Sequence, residues 1–375
     1  MKIGPSRTPK NLFPLQGNRV HIPSGSMIVS DVFNPSEPSD VSFHGGSVVA
    51  GSRSLGFEAP IFYQQVASTP NSAHRDGLQA LQSLSSHSLS PEAVLTAVES
   101  FSRGAPNHML HSATQEIEAA TESGAEQTVL NLSSGTSKAQ ITQILYQQAS
   151  QAWQNGDPSA HLALENFAGA WNINSDELLH SDPQVFGPAR RRLQQNIVSE
   201  VHKAWESDLE LSKEKARFEV AIEKFEAKQN SVVIAAGNEG FVKPILEMGG
   251  QGDLHLPEDF EKNILFSEQA TMVGASLVLD GEEVEATYTS GDQAIQAYAS
   301  GDHVIGREFD DKLGLRGAGT SIATPRIGAV MAKLHAENPS STSEQVESLL
   351  QEQFLFAQDR MLDHHKAYAF LNQKP

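Results

Sequence analysis

A chain of 375 residues is long enough for one large α/β domain or two ordinary ones. Its 46 acidic residues against 27 basic ones give a formal charge of -19, a surface that repels nucleic acid and anionic membranes and so argues against both as partners. Cysteine is absent, which excludes disulfides, thiol catalysis and cysteine-ligated metals while leaving the compartment open.

The opening Met1-Lys2-Ile3-Gly4-Pro5-Ser6-Arg7 has no apolar core behind its positive charges, so it is not a secretory signal. No stretch is long enough for a transmembrane helix. The expectation is a cytoplasmic protein, with export by a route that needs no cleaved signal as the alternative.

Residues 1–26, rich in Pro, Ser, Gly and Asn, read as an irregular arm. Met27-Ile28-Val29-Ser30 is a short apolar run ending at Asp31, the pattern of a buried parallel strand with a carboxylate at its carboxyl end. After a loop, the small residues from His44 to Gly51 suit a tightly packed helix, and residues 60–66 read as the next strand. Residues 71–112 are polar and helical, 117–122 read as the end of a helix, and 128–132 as a strand closed by Ser133-Ser134-Gly135.

A long helical stretch follows over 139–229. Leu193, Ile197, Val201, Trp205 and Leu209 recur at four-residue steps, and Phe218, Ile222 and Phe225 form a second stripe; packing on the parent domain is the favoured reading of both. Ser231 to Ala236 is a buried strand ended by Gly237-Asn238-Glu239-Gly240. Further strands read at 270–275 and 294–298, and an apolar helix follows residue 319, with Ile327, Val330, Met331 and Leu334 along it. Strands alternating with helices predict an α/β fold with a mainly parallel central sheet flanked by helices. In open sheets of this kind sites lie beyond the carboxyl ends of strands, where Asp31, Ser133 and Asn238 all fall.

Gly319-Thr320-Ser321-Ile322-Ala323-Thr324-Pro325 puts a serine at a helix start, where it can cap the helix or present its hydroxyl beside partly positive N–H groups. Asn238 fits a turn after a strand equally well. Taken together, these segments resemble the subtilisin-like serine proteases, the subtilases. The serine segment is similar to the family's Gly-Thr-Ser-Met-Ala-x-Pro nucleophile signature. Residues 232–240 resemble its oxyanion segment, His44-Gly45-Gly46-Ser47-Val48-Val49-Ala50-Gly51 its histidine helix, Ile28 to Asp31 the strand ending in its aspartate, and Leu130 to Gly135 its substrate-binding edge strand. The order Asp, His, Asn, Ser is also the family's.

The resemblance implies a single catalytic domain over 1–375, with the surplus at 71–112 and 139–210 as helical insertions. It implies a serine endopeptidase in which Ser321 is the nucleophile, His44 the general base, Asp31 the orienting carboxylate and Asn238 an oxyanion donor. Ser133, Ser134 and Gly135 would pair with an extended polypeptide substrate. Glu239, with Asp40 and Glu37, would place acid near the cleft and favour basic side chains. No cofactor is required; structural calcium suits the family and the acidic composition, but no motif places it. His108-x-x-His111 and His364-His365 have no further ligands in the sequence and read as exposed histidines rather than metal sites.

Several positions depart from the family pattern. Val32 and Phe33 stand where Thr or Ser and then Gly are usual, Ser47 stands where a second histidine is common, and only 13 positions separate Asp31 from His44. Asp40 is the rival for the aspartate. A catalytically inactive subtilase-like binding module and an esterase using the same triad stay open beside the endopeptidase. With few residues ahead of Asp31 for an inhibitory pro-domain, restraint by a separate inhibitory partner or by the chain's own insertions is expected, a mature form with its leader removed being the alternative; the stripe from Leu193 to Leu209 would dock the inhibitor or shield the cleft.

Overall fold

The computed structural model describes residues 12–15, 21–32, 36, 38, 44–65, 72–155, 158–291, 293–305 and 315–373. Phe33, Glu37 and Asp40 lie outside them.

Strands β1 (Leu12–Pro14), β2 (Met27–Asp31), β3 (Ile61–Gln65), β4 (Val129–Leu132), β5 (Ser231–Ala235), β6 (Thr271–Leu279), β7 (Glu282–Glu285) and β8 (Ala297–Ser300) form an eight-stranded sheet. Its order is β1-β3-β2-β4-β5-β6-β7, with β8 also paired to β6. Every pairing is parallel except β6 with β7. That hairpin turns at Asp280 and Gly281, whose φ angles of 51° and 89° suit a tight two-residue connection. Strands β9 (Asp302–Ile305) and β10 (Leu315–Ala318) make a separate antiparallel ribbon.

The first helices are α1 (His44–Ser54), α2 (Ser72–Ser86), α3 (Pro91–Glu122), α4 (Lys138–Asn155), α5 (Pro158–Ala170) and α6 (Ser175–Leu179). They are followed by α7 (Pro183–Glu206), α8 (Leu209–Glu226), α9 (Val242–Met248), α10 (Thr320–Glu337), α11 (Ser343–Phe354) and α12 (His364–Leu371).

Alternation along the strands divides the core in two. Ile28, Leu130, Leu132, Val232, Ile234 and Met272 face a layer built from α2 to α9. Met27, Val29, Val129, Val233 and Val273 face α1, α10, α11 and α12. Each such side chain fully withdrawn from water contributes roughly 1.5–3 kcal/mol before chain entropy is set against it. The α10 helix lies close on the sheet because Gly328 has no side chain: a Cβ there would sit 3.2 Å from Met27 Sδ and 3.3 Å from Val233 Cγ2.

Some expectations need correction. The helical stretch at 71–112 is two elements, α2 and the start of α3: α3 is one helix of 32 residues that starts after Ser90, whose Oγ accepts from Ala93 N–H, and ends at Glu122, where 117–122 reads as a helix end. Leu193, Ile197, Val201 and Trp205 are buried along α7, but Leu209 is 75% exposed and leaves the stripe. Asp208 breaks it: its Oδ1 accepts from the N–H groups of Glu210 and Leu211 and starts α8 afresh. The buried part of the stripe is filled by the chain's own core, so it offers an inhibitor no docking surface. Leu12–Pro14, read as irregular, pairs with β3.

No helix among the described residues is long and apolar enough to cross a membrane.

Candidate active site

Parallel pairing of β2, β4 and β5 brings Asp31, Ser133 and Asn238 to one edge of the sheet. The N-terminus of α10 arrives at the same edge and delivers Ser321 as its second residue.

Asp31 ends β2 and is 4% exposed. His44, the first residue of α1, sets its Nδ1 2.8 Å from both carboxylate oxygens of Asp31. The short Asp–His connection is closed by a backbone bond from Gly45 N–H to Val32 O, 2.9 Å. Val32 brings no side-chain hydroxyl, but its own N–H donates to Asp31 Oδ1 at 2.6 Å. The other imidazole nitrogen, Nε2, lies 2.9 Å from Ser321 Oγ. The hydrogen bond to Asp31 raises the His44 pKa above its ordinary value; partial burial opposes this and the carboxylate charge adds to it.

Asn238 is held by its carbonyl end. Its Oδ1 accepts from Thr320 N–H (2.9 Å) and Thr320 Oγ1 (3.2 Å), and Thr320 Oγ1 in turn accepts from Gly237 N–H at 3.2 Å. With Oδ1 engaged, the amide Nδ2 is the group left to donate. A Cβ on Gly319 would lie 3.3 Å from Asn238 Nδ2 and 3.3 Å from Ser321 Oγ, so the absent side chain keeps the space between them open. Ile322 N–H and Ala323 N–H turn to Gly319 O, and Ser321 N–H has no partner among the described residues. Asn238 Nδ2 and Ser321 Oγ therefore flank the same opening at Gly319.

Comparison with known proteins bears on this arrangement. The sequence profile of the Subtilase family matches residues 65–368. The chain belongs to the subtilase family of serine proteases. The match begins after Asp31 and His44, so those two are placed by the geometry above and not by the profile. No curated protein matches the chain.

Similar solved structures include the nisin leader peptidase NisP from Lactococcus lactis, 14% identical over 94% of this chain and 90% of that one, with a TM-score of 0.44. A cold adapted subtilisin-like serine proteinase is 13% identical over 91% and 85%, TM-score 0.41. The epidermin leader peptide processing serine protease from Staphylococcus aureus is 15% identical over 99% and 77%, TM-score 0.39.

In this subtilase the segment after β4 differs from expectation. Leu130 to Leu132 are not an edge strand: β4 is paired on both sides, with β2 and β5. Only Ser133, Ser134 and Gly135 run on beyond the paired strand. Ser133 is buried, accepting from Asn131 Nδ2 (2.7 Å) and donating to Ser321 O (3.3 Å), so it braces the serine turn from below. Ser134 and Gly135 are half-buried. Gly135 backs onto Asn263, whose Nδ2 donates to Ala235 O at 2.7 Å and whose Oδ1 accepts from Leu265 N–H at 3.0 Å. Glu239 is turned onto Ser290, accepting from its Oγ at 2.6 Å; burial pushes the carboxyl pKa up and the Ser290 bond pulls against it.

One titratable neighbour was not anticipated. Glu116 on α3 is 5% exposed, and its Oε1 accepts from Ser112 Oγ at 3.0 Å. Burial pushes its pKa up to about 7, the nearby Ser30 hydroxyl and the Ser112 hydrogen bond oppose the shift, and the charge of Asp31 adds to it. The signal lay in its position among Ala113, Ile117 and Ala120, which are buried on the same helix.

His364 is also not simply exposed: its Nε2 accepts from Ser300 N–H at 3.3 Å and lies 3.4 Å from Glu283. Among the described residues no three His, Asp or Glu side chains converge on a point that could hold a metal ion.

Proposed function

We propose that the chain is a serine endopeptidase that cuts extended polypeptide through an acyl-enzyme on Ser321. The observation that carries this reading is the unbroken run of hydrogen bonds from the Asp31 carboxylate through His44 to Ser321 Oγ.

A serine hydroxyl is a weak nucleophile until a base takes its proton. His44 Nε2 takes it as Oγ bonds to the scissile carbonyl carbon and the carbonyl electrons move to oxygen. Asp31 keeps the proton on Nδ1, so that Nε2 is the basic nitrogen, and stabilises the imidazolium that forms. Asn238 Nδ2 and Ser321 N–H donate to the oxyanion. When the C–N bond breaks, the leaving amine collects the proton from Nε2. Water then enters, gives a proton to Nε2 and attacks the acyl carbon, and Ser321 leaves with that proton.

The polypeptide lies along Ser134 and Gly135, whose backbone continues past the last paired residue of β4. This favours flexible chains over small esters.

The test is hydrolysis of an unfolded protein and of a small ester by wild type and Ser321→Ala. Internal peptide cleavage by wild type alone is expected. Ester cleavage without any peptide cleavage would favour an esterase, and no hydrolysis by either protein would favour a binding module.

A further inference from the structure

The proposed mechanism uses Asp31 and His44 but not the second buried carboxyl near them, that of Glu116. We propose that Glu116 is a positioning residue that acts on His44 through Asp31: once ionised, it strengthens the hold of the Asp31 carboxylate on the imidazolium. The consequence for catalysis rests on the endopeptidase reading; the coupling between the side chains does not.

Strand alternation is the first ground. Along β2, Ile28 faces the layer that includes α3, while Met27 and Val29 face α1 and α10. Ser30 therefore turns toward the α3 layer, and Asp31 toward α1, where His44 stands. Neighbouring residues of one strand thus meet Glu116 on one side of the sheet and His44 on the other.

The second ground is unmet hydrogen bonding around Ser30. Ser30 is fully buried, and its Oγ has no hydrogen-bond partner among the described residues. Register places Gln64 of β3 beside it, and Gln64 Oε1 is also buried without a partner. Glu116 takes one hydroxyl, from Ser112 Oγ at 3.0 Å. The Ser30 hydroxyl is the second that favours its ionised form. An ionised Glu116 thus accepts from a hydroxyl that is otherwise unsettled, one residue from Asp31.

Electrostatics gives the direction. The charge of Asp31 bears on Glu116. Coupling between two groups is reciprocal, so an ionised Glu116 bears equally on charge at Asp31. Both carboxyls are withdrawn from water, where the field between them is weakly screened. Neutral imidazole would leave two negative charges close together without a cation. His44 therefore keeps its proton to higher pH when Glu116 is ionised.

Other charges around α3 are engaged elsewhere. On α8, Glu214 faces His111 at 3.5 Å and Arg217 holds Glu118 at 2.8 Å. On α2, His74 stacks against His108 with ring centroids 4.9 Å apart. Arg103 of α3 holds Glu99 at 2.7 Å. Asp31 is the charge that bears both on Glu116 and on His44.

The experiment is NMR titration of the His44 ring protons in the full chain, with the signal identified by its loss in His44→Ala. Glu116→Gln keeps the shape and removes the charge. It should lower the His44 midpoint by about half a unit, the order expected of one charge acting through protein. The acid limb of the pH–rate profile should move the same way. Glu282→Gln, a loss of charge on the exposed edge of β7, should move neither. Ser112→Ala removes a bond that favours the ionised carboxyl, so it should lower the His44 midpoint by less, and it carries the test if Glu116→Gln fails to fold. An unchanged or raised His44 midpoint, or an equal shift in Glu282→Gln, would overturn the proposal. A lowered midpoint in a chain that cleaves no peptide would support the coupling and count against the endopeptidase reading instead.

Discussion

Nε2 of His44 lies 2.9 Å from Oγ of Ser321, although 277 positions separate them in the chain. The contact exists because β2 and α1 present His44, and α10 presents Ser321, at the same edge of the sheet. Its chemistry depends on the protonation of His44, which the hydrogen bond to Asp31 favours. Only neutral imidazole accepts the serine proton. Activity should therefore rise with pH through one ionisation whose midpoint lies above the ordinary value of 6.5.

The same pair has the opposite effect on stability. A histidine whose folded pKa is raised stabilises the fold fully below its unfolded pKa, and that contribution is lost as pH rises through the folded value. Asp31→Asn should lower turnover sharply and shift the remaining activity profile toward acid. A pH–rate profile of the variant checks this; an unshifted acid limb with full turnover would transfer the role of Asp31 elsewhere.

Thr320 holds Asn238 by its Oδ1, which leaves Nδ2 free for the donor role proposed above. Asn238→Ala should reduce turnover by about 10²–10³-fold with KM little changed, the loss that one oxyanion donor accounts for in a subtilisin. Thr320→Val keeps the backbone N–H but removes the hydroxyl, so it should give a smaller loss of the same kind. Steady-state kinetics on both variants separate the effects; a change confined to KM in either would mean Asn238 acts in binding alone.

Gly135 has no room for a side chain. A Cβ there would lie 2.2 Å from Asn263 Nδ2, and moving Asn263 breaks its bonds to Ala235 O and Leu265 N–H. Gly135→Ala should destabilise the fold by about 1–3 kcal/mol, as overpacking does, and raise KM for extended peptides more than it lowers turnover. Denaturant unfolding combined with peptide kinetics reads both effects.

Glu116 carries a raised carboxyl pKa of about 7 from burial. A carboxyl whose folded pKa exceeds its unfolded value near 4.5 contributes fully at low pH and loses that contribution as pH climbs to about 7. Glu116→Gln keeps the shape and cannot ionise. At pH 8.5 it should be more stable than wild type by a few kcal/mol, a difference that vanishes near pH 4. Equal pH dependence in the two proteins would show that Glu116 is charged without cost.

How far the sequence exposed this design differs from element to element. Met27 to Asp31 and Ser231 to Ala235 were readable because buried parallel strands need continuous apolar runs. The helix at Ser321 was readable from its small-residue start and apolar body. The Leu193 stripe was followed one step too far, since periodicity does not register that Asp208 serves as a cap. The β7 strand was missed because Glu282, Glu283 and Glu285 carry no strand signature and pair only at the end of β6. The donor that Val32 gives Asp31 was not readable because side chains are visible in a sequence and backbone donors are not. The environment of Glu116 depends on the fold bringing α3 near Ser30 and Asp31, a tertiary fact that local pattern does not encode.

The most direct measurement is mass spectrometry of the chain after treatment with a fluorophosphonate, with the adduct mapped to a single residue. If Ser321 is an activated nucleophile, the label falls on Ser321 in wild type, is absent from Ser321→Ala, and forms far more slowly in His44→Ala. Labelling of another serine, or equal labelling of Ser321 with and without His44, would contradict the triad assignment.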